Sequence, residues 1–159
     1  MNDAIEDFRR TIEEAVERLL LIQETQSLAP LSDGKWSARE IIGHLIDSAS
    51  NNHQRFVRAQ FTDEMVFPPY EQEAWVRVQR YNEEPWSLLV QLWKSYNLHL
   101  AHVMSSIPAE TRARLCRMHN LQRIAWKTVS ESEPVTLEYL MLDYIAHLKN
   151  HLKQIFAEG

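Results

Sequence analysis

Glycine and cysteine are nearly missing from this sequence, with three glycines and a single cysteine, Cys116, in 159 residues. One cysteine excludes an internal disulfide framework and fits a reducing compartment. Six prolines occur, none of them inside a long periodic segment, and so few breakers argue against a strand-rich fold with many tight turns. No apolar stretch approaches the about 20 residues that a membrane span needs. Positive charge is also sparse: the formal net charge is -5 and no lysine or arginine run exceeds two residues, so an electrostatic footprint for nucleic acid is absent. Asp3, Glu6 and Asp7 precede any apolar run, which is unlike a secretory signal peptide. The expectation is a cytoplasmic protein with neither nucleic acid nor membrane as partner. Its length, with 45% apolar and 25% charged residues, suits one globular domain.

What is present is helical periodicity. Ile5, Phe8, Ile12, Val16, Leu19 and Ile22 predict a helix from about Asp3 to Gln26, with Asp3 and Glu6 at the offset of a capping box. Ser37 and Glu40 repeat that offset and open a second helix that reaches about Arg58. A third starts near Pro85 and stops at Pro108, and a fourth follows Pro134 with Thr136 as its cap. Two long connections remain, one with a short helix between Glu71 and Tyr81, the other with one around Glu110 to Leu115. Connections of this length often serve as lids or pocket walls. The fold class is therefore all-α, a four-helix bundle with long crossovers that permit a topology other than up-down-up-down.

Seven histidines could bear chemistry, and helical spacing pairs His147 with His151 and His99 with His102. On the third helix His99 and His102 point away from the apolar arc, as solvated surface does. On the fourth, His151 falls inside the arc and His147 at its edge, where each imidazole needs a partner. A carbonyl or water would serve, and so would a metal ion, since three imidazoles suit Zn²⁺ or Ni²⁺ and leave positions open. His44 lies on the flank of its helix in a polar stripe with Ser48, Asn51 and Arg55, either a site wall or a solvated face. The glutamate of an H-E-x-x-H helix is missing, so no general base is built in.

Arg55 offers a planar fork for a ligand carboxylate; the competing reading is an ordinary ion pair with one of 22 acidic residues. Trp75, with Tyr70 and Tyr81, either lines a substrate pocket or plugs the open end of the bundle. Trp86 and Trp93 sit on the core arc. Cys116 lies between Arg114 and Arg117, but no His, Asn or Asp arrangement points to it as a nucleophile. No residue is identified as catalytic.

The run Lys35-Trp36-Ser37-Ala38-Arg39-Glu40-Ile41-Ile42-Gly43-His44-Leu45 resembles the second-helix signature of the DinB-like (damage-inducible) superfamily. Val135-Thr136-Leu137-Glu138-Tyr139-Leu140, followed by His147-Leu148-Lys149-Asn150-His151-Leu152-Lys153-Gln154-Ile155, resembles its last-helix signature. The resemblance implies a single DinB-like helical-bundle domain over residues 1–159, with a divalent transition metal held by His44, His147 and His151. Similar proteins include bacillithiol transferases and mycothiol-dependent maleylpyruvate isomerases, and dimers are frequent among them. It therefore implies thiol-dependent S-transferase chemistry on an electrophilic small molecule, with a low-molecular-weight thiol as co-substrate, in a homodimer. Two alternatives stand beside it. One is a metal-dependent hydrolase with water in place of the thiol. The other is a non-catalytic metal-binding or dimeric stress-response module, in which apolar surface at Ile42, Ile46 and the aromatic crossover serves association.

Overall fold

The structure is a computed structural model that describes residues 1–156. Seven helices occur among these residues: α1 (Asn2–Leu19), α2 (Ala38–Arg58), α3 (Gln72–Gln79), α4 (Trp86–Ser106), α5 (Ala109–Ala113), α6 (Leu121–Ile124) and α7 (Leu137–Phe156). Single 3₁₀ turns at Gln26–Leu28 and Tyr81–Glu83 complete the regular structure, and no strand forms beyond three isolated bridges among the described residues. No helix among them is long and apolar enough to cross a membrane.

The four long helices α1, α2, α4 and α7 form the bundle. Around it, α1 packs on α4, α4 on α2, α2 on α7 and α7 on α1. The chain thus crosses the bundle diagonally from α1 to α2 and from α4 to α7, whereas α2 and α4 are neighbours joined by the long segment that carries α3. Phe8, Phe56, Trp93, Leu100, Leu140 and Leu148 fill the centre and are all essentially inaccessible. One polar link crosses it, where the Tyr144 hydroxyl donates to Asn97 Oδ1 and the Asn97 amide donates to the Trp93 carbonyl.

Local signals set most helix ends. Both halves of the capping box are present at α2: Glu40 N–H donates to Ser37 Oγ at 3.2 Å and Ser37 N–H to Glu40 Oε2 at 2.9 Å. Thr136 Oγ1 accepts from Tyr139 N–H at 3.1 Å and caps α7. The capping box expected at Asp3 and Glu6 does not form; the helix starts a residue earlier, at Asn2, and Asp3 lies in the first turn, where its charge faces the helix N-terminus. Nor does α1 continue to Gln26. It stops at Leu19, whose carbonyl accepts from Trp86 Nε1 at 2.9 Å, a partner that no local pattern discloses.

The two crossovers bind each other. Met65 N–H donates to the Met118 carbonyl and the Met65 carbonyl accepts from Asn120 N–H, on either side of His119, and the Asn120 side chain bonds both backbone polar groups of Phe67. Buried His119 is fully used, bonding the Glu133 carbonyl and the Leu121 N–H. The first crossover covers the face of α2 that would otherwise meet solvent, so 14 of its 21 residues are buried. Ile42 and Ile46, which the association alternative would place on the surface, are therefore core, at 0% and 7% exposure.

Gly43 makes that cover possible. A Cβ there would stand 2.1 Å from the Tyr81 ring, which is buried against α2. Gly43→Ala should gain about 1 kcal/mol in helix propensity yet lose roughly 1–3 kcal/mol to overpacking. A net loss in urea unfolding is expected, turning into a gain in a Tyr81→Ala background.

Candidate metal centre

The diagonal topology makes α2 and α7 neighbours although most of the chain separates them. His44 from α2 meets His147 and His151, one turn apart on α7, and one nitrogen of each lies within 4.8 Å of the others. His44 Nε2 and His147 Nε2 are 3.3 Å apart, and the three ring centroids are separated by 4.6–5.2 Å. His151 Nδ1 donates to Gln154 Oε1 at 3.1 Å, which leaves the Nε2 lone pair free. The rim of the cluster is aromatic, with Trp36 5.2 Å from the His44 ring and Trp126 6.2 Å from that of His147.

Burial keeps these imidazoles neutral. It pushes His44 down to about 3, with His151 adding to the effect, and His147 likewise to about 3, with His151 and His44 contributing. Burial lowers His151 as well. A divalent ion needs neutral imidazole ligands, so the donor set fits one at neutral pH. His44 Nδ1, buried with no hydrogen-bond partner, shows that burial alone has not satisfied this histidine.

A cavity of about 370 Å³ opens onto His147 and His151, while His44 lies behind them, fully buried. Arg55, Tyr70, Arg123, Trp126 and Asp143 are among its walls. Arg55 is 5% exposed, and among the described residues it has no ion pair; its partners are Asn52 Oδ1 at 3.3 Å and the Pro68 carbonyl at 3.4 Å. Burial pushes the Tyr70 hydroxyl up to about 12, so it stays protonated. Trp75 does not line this cavity; it packs on Tyr70 at 5.0 Å and is 37% exposed. His99 and His102 are exposed, as their helical faces predicted. Trp86 and Trp93 are core, and Cys116 is buried, with its thiol donating to main-chain carbonyls.

Asp143 was not singled out from the sequence. Both its oxygens accept main-chain N–H groups, from Trp126 and Lys127 at 2.8 Å each, and so hold the second crossover beside the cavity. Its burial raises its carboxyl above the ordinary value. The signal was available, because Asp143 stands four residues before His147 and so on the same helix face.

The family model of the DinB superfamily matches residues 4–155. The chain belongs to the DinB superfamily. A curated relative, the "Putative metal-dependent hydrolase YfiT" of Bacillus subtilis, is 30% identical over 71 residues, covering 45% of this chain and 38% of the relative. The match thus spans well under half the length of that relative. The solved structure of YfiT, described as having an unusual four-helix bundle topology, superposes with a TM-score of 0.80 over 99% of this chain and 84% of that one, at 19% identity. The DinB chain described above shares that fold.

Proposed function

We propose that this DinB-superfamily protein is a metal-dependent enzyme that joins a low-molecular-weight thiol to an electrophilic small molecule. The observation that carries the reading is the convergence of three neutral imidazoles, His44, His147 and His151, beside a cavity of ligand size. A divalent transition ion such as Zn²⁺ or Ni²⁺ held by three imidazoles keeps a position for an exogenous ligand and lowers the pKa of a thiol or water bound there. The chain's own part is to orient and enclose. Gln154 fixes the His151 tautomer, Trp36 and Trp126 border the cluster with aromatic surface, and Arg55 faces the cavity with a permanent charge.

The choice of a thiol over water follows from what the walls lack. Asp143 is the one acidic residue among the described lining, and both of its oxygens are occupied by main-chain donors. That task ties the one carboxylate of the walls to the crossover backbone, which suits a nucleophile acidic enough to ionise without a dedicated general base. Hydrolysis is the second reading, favoured by the likeness to YfiT and its name.

The test pairs two assays on metal-loaded protein with a His147→Ala control. Chlorodinitrobenzene conjugation is measured with glutathione, bacillithiol, mycothiol and cysteine in turn, and nitrophenyl ester cleavage is measured without thiol. Conjugation above the control with at least one thiol is the expected result. Metal-dependent ester cleavage with no conjugation would make the protein a hydrolase, and inactivity in both would favour a metal-binding module without catalysis.

A further inference from the structure

Two arginines of α2 are buried to nearly the same degree, Arg39 at 2% exposure and Arg55 at 5%, and they are treated very differently. Arg39 is saturated: its guanidinium donates to the carbonyls of Glu24, Asn82 and Glu84 and to the Ser27 hydroxyl, and it pairs with the Glu24 carboxylate. Arg55 has five N–H donors of the same kind but two acceptors, both uncharged and both beyond 3.2 Å. Taking a guanidinium out of water costs several kcal/mol unless an anion and good hydrogen bonds compensate. Within the protein that compensation is missing at Arg55.

The cavity is where it would come from. Ser48, Asn52 and Arg55 follow one another at four- and three-residue spacing along α2 and line the same space as Tyr70, His147 and His151. Arg123 at the rim adds a second positive charge, while the carboxylate of Asp143 is occupied by main-chain N–H groups. Two guanidiniums against one carboxylate leave the cavity net positive. A fork of N–H donors flanked by an amide and two hydroxyls matches the planar, two-oxygen geometry of a carboxylate.

We propose that Arg55, with Ser48, Asn52 and Tyr70, forms a carboxylate-binding subsite, so that the cavity's ligand is an organic acid whose other end lies at the histidines. The subsite rests on the proposed function only for that second clause. Eleven residues of α2 separate His44 from Arg55, about 16 Å of helix rise, part of which the side chains span. The acid is therefore one with a chain of several atoms between its carboxylate and its reacting end.

The test compares 6-mercaptohexanoate with its uncharged counterpart 6-mercaptohexan-1-ol. Each is titrated into cobalt-loaded protein, followed by the thiolate-to-cobalt charge-transfer band, and into metal-free protein, followed by calorimetry. The acid is expected to bind the wild type roughly tenfold or more tightly than the alcohol. Arg55→Met should abolish that preference, and Arg55→Lys, which keeps the charge and loses the fork, should fall between, with circular dichroism checking that both fold. An unchanged preference in the variants, or no preference in either form of the wild type, would overturn the subsite. A charge-transfer band that never develops would count against the three-imidazole reading instead, and the preference in metal-free protein would still decide the role of Arg55.

Discussion

Replacing His147 by alanine is expected to weaken Zn²⁺ or Ni²⁺ binding by more than about 100-fold, since even changes to groups that merely support metal ligands cost 10–100-fold. His102→Ala should leave the affinity unchanged. His147 reaches within 3.3 Å of His44 from the neighbouring helix, whereas His102 is exposed on the outer face of α4. Competition against a chromophoric chelator measures both variants. His147→Ala should keep its helical circular dichroism, because α7 is held by Leu140, Met141, Leu148 and Leu152 in the core rather than by its histidines. Equal losses in the two variants would mean that the metal is bound by surface imidazoles.

Arg39→Met should destabilise the fold by about 3 kcal/mol, the scale of losing hydrogen bonds from a charged donor to buried acceptors. Arg39 ties three separate pieces together: the segment after α1 through Glu24 and Ser27, the 3₁₀ turn through Asn82, and the approach to α4 through Glu84. Its partner Glu24 also accepts the Trp86 N–H at the start of α4, and its carboxyl is held below the usual range, chiefly by its hydrogen bond to Arg39. Glu24→Gln should cost far less than Arg39→Met, since that carboxylate is largely exposed and an exposed ion pair is worth little. Chemical denaturation of the two variants separates the buried carbonyl contacts from the ion pair. A loss in Glu24→Gln as large as that in Arg39→Met would show that the charge pair, not the loop tie, carries the effect.

The parts of this fold that could be read in the sequence are those whose causes are local. The amphipathic stripes of the four long helices, the Ser37 capping box and the Thr136 cap each depend on residues within a turn or two, and each appears where the pattern placed it. The end of α1 is met by Trp86, some 67 residues away, and α6 lies where one crossover binds the other; neither contact leaves a local trace. The site divides in the same way. His151 and His147 could be assigned to an inward face because one side of α7 is apolar. His44 and Arg55 could not, because the first crossover covers α2 and buries polar and apolar faces alike, so that periodicity no longer separates wall from surface. The family signature supplied what periodicity withheld for His44. For Arg55 the decisive fact is a missing counter-ion, which only the three-dimensional arrangement reveals.

In the proposed function, His44, His147 and His151 together hold one divalent transition metal ion. X-ray absorption at the metal edge, with elemental analysis, on protein purified without chelator or nickel resin tests it most directly. The predicted result is about one ion per chain, bound by three imidazole nitrogens with at least one further position taken by oxygen or an added thiol. Loading below about a tenth of an ion per chain with no uptake of added Zn²⁺ or Ni²⁺, or a coordination sphere with fewer than three imidazoles, would contradict it.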